Sequence, residues 1–393
     1  MINFDFDKEC CGCSVCADVC PKQCISYVKN TYGFFVPIVE KSLCVNCGRC
    51  TKVCPVLNPQ TSRINDVEVY SAYNKSLEIR SEGSSGSIFY TLAEETINSG
   101  GVVYGAAFVE NMQLRHISVE RLDELKPLMK SKYLQSDIRG IYKKVKNNLE
   151  LGQRVLFVGT PCQCNALFKF LAPRLHDNLL LVDFICHGVP SQDLFDKALR
   201  SYEKSHCCTI DSMSFRIKKE DSVHYFSLDI KDLKGESQRI EGKYTEFPFY
   251  YGFKKFICLR ESCYQCKFCV KDRVSDLTLA DFWELEKIDT SVSLPEFNKG
   301  ISMVICNTLK GKNYLQIVSD QLEYKKQVVP DISKINYAYT NPTYKGIYAR
   351  RFWRDYDKMT YEELEQKHMT YIPFNELSIW QKLKVYIIAK LKL

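Results

Sequence analysis

Eight of the 20 cysteines in this 393-residue chain fall into two copies of one spacing. Cys10, Cys13, Cys16 and Cys20 form C-x2-C-x2-C-x3-C with Pro21 behind them. Cys44, Cys47, Cys50 and Cys54 repeat it, followed by Pro55. Three thiolates at this spacing wrap one face of an iron–sulfur cubane, and the fourth points away to ligate its neighbour. The pattern therefore predicts two 4Fe–4S clusters, one on Cys10, Cys13, Cys16 and Cys54, the other on Cys44, Cys47, Cys50 and Cys20. Each proline removes a backbone donor and turns the chain away from the cluster. Zinc ribbons also use C-x2-C pairs, but two complete runs favour cubanes. Cys11 and Cys24 stand outside both runs and read as small buried residues.

Two further stretches bring thiols to places where chemistry is feasible. In RVLFVGTPCQCNAL (Arg154–Leu167) a β-branched run ends in Gly-Thr-Pro, and Cys162 and Cys164 follow at once. Thr160 reads as a helix cap and Pro161 as the first helical residue. FICLRESCYQCKFC carries Cys258, Cys263, Cys266 and Cys269, a C-x4-C-x2-C-x2-C order with no proline behind it. Read locally, those four thiols form one metal site. Cys207, Cys208 and Cys306, with Cys164, read as ordinary packing residues.

The elements that must position these groups alternate strand and helix, which predicts an α/β core. ISYVKNTYGFFVPIVEKSL reads as a hairpin turning at Asn30 to Gly33. A polar linker from Pro59 to Asn65 places a boundary near residue 62. Strands follow at Val67–Asn74, Val102–Val109, VLFVG and Leu179 onward. Arg80–Gly101 reads as a loop and then a helix capped by Ser84 or Ser85. Further helices are predicted over Asp137–Leu151, from Thr160 to Pro173, and after the cap Ser191. A strand at Ser302–Thr308, a helix at Lys312–Leu322 and a lysine-studded tail, SIWQKLKVYIIAKLKL, complete the chain. The tail suits either an anionic membrane surface or packing on its own domain. This gives a mixed α+β and α/β chain: a ferredoxin domain over 1–62, a central α/β domain over 63–290, and a mixed region over 291–393.

The helix N-termini at SEGSSGS and GTPCQ carry small residues that let backbone N–H groups approach an anion such as a flavin pyrophosphate; plain turns look the same. Neither a dinucleotide-binding glycine fingerprint nor a phosphate-loop motif is present. The net charge of +7, from 54 Lys and Arg against 47 Asp and Glu, makes no case for nucleic acid and slightly favours an anionic ligand or partner. The opening MINFDFDKECC lacks the features of a secretory signal, and no apolar run is long enough to span a bilayer. A cytoplasmic protein is expected, with its thiols used for metal or redox work rather than disulfides.

The stretches SSGSIFYTLAEETINSGGVVYGAAF, SKYLQSD, VLFVGTPCQ, VDFICHGVPS, LRESCYQCKF and SDLTLADFW resemble the coenzyme F-420 hydrogenase/dehydrogenase β-subunit family. Its bacterial branch is found among polysaccharide-synthesis genes. The resemblance covers about residues 1–355. It implies a flavin dinucleotide, usually FAD, beside iron–sulfur clusters on one polypeptide. It implies a third cluster on Cys162, Cys186, Cys263 and Cys266, against the local set of Cys258, Cys263, Cys266 and Cys269. The cofactor-binding set it suggests is Ser84, Ser85, Gly86, Ser87, Lys132, Tyr133, Gln135, Ser136, Gly159 and Thr160. Lys132 would place positive charge by the flavin ring, or be a surface lysine. His187 would donate a proton, or make a structural hydrogen bond. Ala280 stands where the family commonly has glycine.

The expected function is an FAD- and iron–sulfur-dependent oxidoreductase exchanging electrons between clusters and an organic substrate, such as a glycan precursor. The alternative is an electron-input subunit that oxidises a reduced hydride carrier, F-420 or nicotinamide, and docks its clusters on another protein. A third possibility is a non-enzymatic zinc scaffold. A redox partner protein or ferredoxin is the expected partner.

Overall fold

The structure is a computed structural model that describes residues 2–61, 67–219 and 224–376. The expected boundary near residue 62 and the lysine-studded tail lie outside the described residues. Thirteen strands are described: β1 (Ile25–Lys29), β2 (Phe35–Val39), β3 (Glu68–Asn74), β4 (Val102–Phe108), β5 (Leu114–Val119), β6 (Val155–Gly159), β7 (Leu179–Phe184), β8 (Cys208–Ile217), β9 (Tyr225–Asp232), β10 (Ser237–Lys243), β11 (Leu277–Asp281), β12 (Ser302–Cys306) and β13 (Leu322–Gln327).

Eight of these form the central sheet, in the order β13-β3-β12-β11-β7-β6-β4-β5. β4, β6, β7 and β11 run parallel, and antiparallel strands flank them on both sides. A parallel sheet must be covered on both faces, and the period of two divides these apolar runs accordingly. Val102, Tyr104, Val155, Phe157, Leu179 and Leu181 share one core with the helices Ile141–Glu150 and Pro161–Phe170. Val103, Leu156, Leu180 and Val182 share the other with Ile88–Asn98 and Leu309–Ile317. β12 and β13 therefore complete the sheet from beyond residue 290.

β8, β9 and β10 form a separate antiparallel sheet. Its apolar side joins the helices Gln192–His206, Pro248–Lys254 and Ile347–Asp355 in an aromatic core that includes Phe215, Phe226, Phe249 and Trp353. β1 and β2 make the N-terminal hairpin. That domain is fastened to the body by Arg260, which is 1% exposed. Its guanidinium donates to Cys10 O at 2.6 Å, Phe35 O at 3.1 Å and Gln135 Oε1 at 2.9 Å.

Several local expectations shift. Residues Leu77–Glu82 are already helical, and the next helix is capped by Ser87, at a left-handed φ of 60°, rather than by Ser84 or Ser85. Ser85 Oγ instead donates to Ile301 O at 2.7 Å, and Ser84 meets Ser131 Oγ at 3.0 Å. The helix expected from Asp137 begins at Ile141, after Gly140 at φ 79°. The helix expected at Lys312–Leu322 spans Leu309–Ile317 with Thr308 as its cap, because Leu322 opens β13. Thr160 and Pro161 start their helix as expected.

Candidate functional site

All 20 cysteines are free thiols, and most of those at metal-type spacing stand in three groups. Cys10, Cys13, Cys16 and Cys54 are buried together beneath the N-terminal hairpin. Burial pushes the Cys16 thiol up to about 12, with the charges of Cys10, Cys54 and Cys50 adding to it and a hydrogen bond from Tyr27 opposing it. Cys20, Cys44, Cys47 and Cys50 line a small void at the surface. Cys24 faces the same void, its Sγ 3.4 Å from that of Cys20, so it belongs with this group although it is buried as expected. Both expected quartets are thus brought together by the fold.

The third group forms where β6, β7 and the segment after Arg260 converge. Cys162 is the second residue of the helix that Thr160 caps, and Thr160 Oγ1 lies 3.1 Å from its Sγ. Cys186 lies past the end of β7, and its Sγ accepts from Gly188 N at 3.4 Å. Cys263 feels the charges of Cys186, Cys266 and Cys162. Cys266 is drawn down to about 7, first by a hydrogen bond from Cys269 and then by the backbone N–H groups of Phe268 and Cys269. Cys258 lies elsewhere. It is fully buried in the aromatic core, and burial alone raises it. The local set containing Cys258 is therefore not assembled, whereas Cys162, Cys186, Cys263 and Cys266 are neighbours.

Cys11 stands between Cys13 of the first group and Cys162 of the third, close enough for its thiol to interact with both. Sequence spacing gave no signal for that role. Among the described residues, no three His, Cys, Asp or Glu side chains converge on a position for a single metal ion. The donor sets are all thiol, which is the chemistry iron–sulfur clusters take.

A cavity of about 530 Å³ opens beside the third group, at the carboxyl ends of β6, β7 and β11. This is where open α/β sheets bind their ligands, and the volume suits a small-molecule site. Ser84, Ser85, Ser87, Lys132, Tyr133, Gln135, Ser136, Gly159 and Thr160 all line it, as do His187 and the four thiols of the third group. Gly86 does not. It packs against β3, where a Cβ would meet Ala72 O at 2.2 Å, and its N–H donates to Ser302 Oγ. Lys8, Glu9, Cys11 and Val56 bring the N-terminal domain into the wall.

The polar groups of the wall are held in place. Tyr133 stacks on Phe253 with ring centroids 4.4 Å apart. The Lys132 ammonium donates to the carbonyls of Pro127, at 2.8 Å, and Met129. Burial, reinforced by Lys130, lowers it to about 7. The His187 ring stacks on Phe256, and burial keeps it below its ordinary range.

His116, not anticipated from the sequence, is buried between Val158 O at 3.1 Å and Ser136 Oγ at 2.9 Å. The carbonyl only accepts, so Nε2 carries the proton and Nδ1 accepts from Ser136. Ser136 Oγ in turn accepts from Gln163 Nε2 at 3.0 Å, and Gln163 Oε1 accepts from Thr160 N at 2.9 Å. This chain of bonds ties β5 to the GTPC turn.

Four more wall residues escape a sequence reading. Arg216 on β8 makes two bonds to Asp281 at the end of β11, at 2.7 and 2.9 Å. Burial works to raise the Asp281 carboxyl, and Arg216 more than offsets it. Lys254 Nζ donates to His224 Nε2 at 3.1 Å, and the other ring nitrogen faces Tyr250 OH. Asp281 lies inside the LADF stretch, where the sequence drew attention to Ala280 and not to the carboxylate beside it. Arg216 and Lys254 gave no signal.

Residues 152–330 match the family model for the C terminus of the beta subunit of coenzyme F420 hydrogenase/dehydrogenase, and residues 9–58 match the 4Fe–4S dicluster domain. The coenzyme F420-dependent sulfite reductase of Methanocaldococcus jannaschii is 24% identical over 366 residues. That match takes in 88% of this chain and 51% of the relative, so the chain spans about half the length of that relative. A chain of the F420-reducing NiFe hydrogenase complex from Methanosarcina barkeri aligns over 72% of this chain and 89% of its own length, at 15% identity and a TM-score of 0.44. The chain is thus similar to a 4Fe–4S dicluster domain over residues 9–58 and to the C terminus of the coenzyme F420 hydrogenase/dehydrogenase beta subunit over residues 152–330.

Proposed function

We propose that this chain is the electron-input subunit of a redox assembly. In this reading FAD occupies the cavity, 4Fe–4S clusters occupy the three thiol groups, and a reduced hydride carrier of the F420 or nicotinamide type is oxidised at the cavity. When bound, the flavin would exchange electrons in pairs and the clusters would carry them singly. The observation that carries this reading is Cys11, whose thiol contacts one member of the first group and one of the third. It makes the wall of the cavity continuous with the ferredoxin-type domain.

The chain's own residues then have separable tasks. The Tyr133–Phe253 stack offers an aromatic face to a planar ring. Lys132, tied to two carbonyls, keeps an amine at a fixed place in the wall, whose charged form an anionic ring beside it would favour. The small residues Ser84, Ser85 and Ser87, with Gly159 and Thr160, leave room for an anionic group. His187 stands beside the third thiol group, near enough to the cavity to hold a proton for the carrier. Cys162, Cys186, Cys263 and Cys266 would hold the third cluster.

Among the described residues no helix is long and apolar enough to cross a membrane, which is compatible with a cytoplasmic site of action. The test is anaerobic purification with counts of iron, sulfide and flavin. About twelve irons and one flavin per chain are expected, and a preparation with neither sulfide nor flavin overturns the reading. The protein should reduce dyes with a reduced carrier and need a partner protein for anything more. Turnover of an organic substrate such as a glycan precursor, driven by reduced ferredoxin with no other protein, would favour a self-contained enzyme instead.

A further inference from the structure

The three thiol groups differ in where they face. Cys10, Cys13, Cys16 and Cys54 are each at most 9% exposed, and Cys13 connects inward through Cys11 to Cys162. The second group looks outward, with Cys47 exposed. Cys50 of that group acts on Cys16 of the first, so the two groups are adjacent. A path from the cavity thus reaches the first group before the second and surfaces at the second.

The surface there has a specific composition. Leu43 and Val45, on either side of Cys44, are 56% and 57% exposed. Lys22, Lys41, Arg49 and Lys52 are exposed around them. Between residues 20 and 54 there are five Lys or Arg and one acidic residue, Glu40. Glu40 is taken up by the amide and hydroxyl of Ser42, and Lys29 by Asp193. Among the described residues the other four cations have no carboxylate partner. An apolar pair ringed by unmatched cations is the complement of a protein surface with a small dry centre and a carboxylate rim.

We propose that an acidic one-electron carrier protein docks on this face, over the second thiol group, with Leu43 and Val45 at the centre and Lys22, Lys41, Arg49 and Lys52 at the rim. The proposal rests on the reading that the second thiol group holds a 4Fe–4S cluster. One electron crosses in each encounter, lost by the reduced cluster and gained by the oxidised carrier. Two encounters balance each two-electron event at the cavity.

The experiment uses the complete, anaerobically prepared protein and a purified acidic ferredoxin as probe. The chain is reduced, and the second-order rate of ferredoxin reduction is followed by stopped flow as sodium chloride is raised. The expected result is a fall of about tenfold or more between low and high salt, as for a steered encounter. The combined variant Lys22→Glu, Lys41→Glu, Arg49→Glu and Lys52→Glu should lose about tenfold at low salt. Its iron, sulfide, flavin and electron-spin resonance of the reduced clusters should match the parent. A second variant, Leu43→Ser with Val45→Ser, keeps the charge and should weaken complex formation while retaining the salt dependence. A rate indifferent to salt, or a charge-reversed protein with intact clusters reacting like the parent, overturns the docking surface. If the parent carries only eight irons per chain and the missing cluster is the one on Cys20, Cys44, Cys47 and Cys50, the underlying reading fails and the docking proposal falls with it.

Discussion

At the scale of single residues, the thiols separate by neighbourhood rather than by exposure. Cys258 and Cys266 lie within one cysteine-rich stretch, yet the first is packed in an aromatic core and the second faces three other thiols. Cys266→Ala should lower the iron count by about four per chain. Cys258→Ala should leave it unchanged and cost stability by about 1 kcal/mol through the small void it leaves. A loss of about four irons in both variants would return the third site to the local set.

His116 makes a second test at this scale. Burial holds it at about 4, below the 6.5 of the free side chain. Between those values the unfolded chain binds a proton that the native one does not, so native stability falls as pH drops from 6.5 to 4. The loss amounts to about 3 kcal/mol at most. His116→Gln, which keeps a donor for Val158 O, should flatten that part of the profile of urea midpoint against pH.

At the scale of elements, the attachment of the N-terminal domain depends on a few groups. Gly12 has a φ of 69°, and a Cβ there would stand 2.3 Å from Gln135 Nε2 and 2.8 Å from Arg260 Nη1. Gly12→Ala therefore combines an unfavourable backbone conformation with displacement of the main fastening, for a cost of about 1–3 kcal/mol. Arg260→Met removes the side-chain donor to Phe35 O and leaves Cys10 O with Ser262 Oγ alone, at about 2–3 kcal/mol. Limited proteolysis should release the N-terminal domain from both variants well before it does so from the parent.

The same elements explain what could be read from sequence. The cysteine quartets were legible because each C-x2-C-x2-C-x3-C run is compact and the exchange of the fourth thiol between runs follows from the repeat, and the parallel strands because buried apolar runs stand out. Arg216 and Asp281 are separated by 65 positions and meet only because two sheets converge. β8 to β10 alternate apolar with charged residues and give no continuous run. Ser84 reads as a cap because any serine before an apolar helix suits that role. Ser87, which holds the position, turns its hydroxyl back to Ile79 O instead.

At the scale of the whole molecule, burial sets an order of events. The second thiol group is at the surface, while the first is enclosed and the third sits inside the cavity. Mild exposure to a chelator and air should remove about four irons per chain in a fast phase and the remainder more slowly. A single phase for all the iron would contradict this arrangement.

Lys8, Glu9, Cys11 and Val56 also mean that the first sixty residues are not a detachable cartridge. A fragment beginning after the linker would have a breach in its own binding chamber, open to water beside Cys162. Conversely, an isolated ferredoxin-like fragment would expose the patch that now seals that breach. Engineering that swaps the amino-terminal piece for another electron carrier must therefore reproduce this seam as well as the clusters.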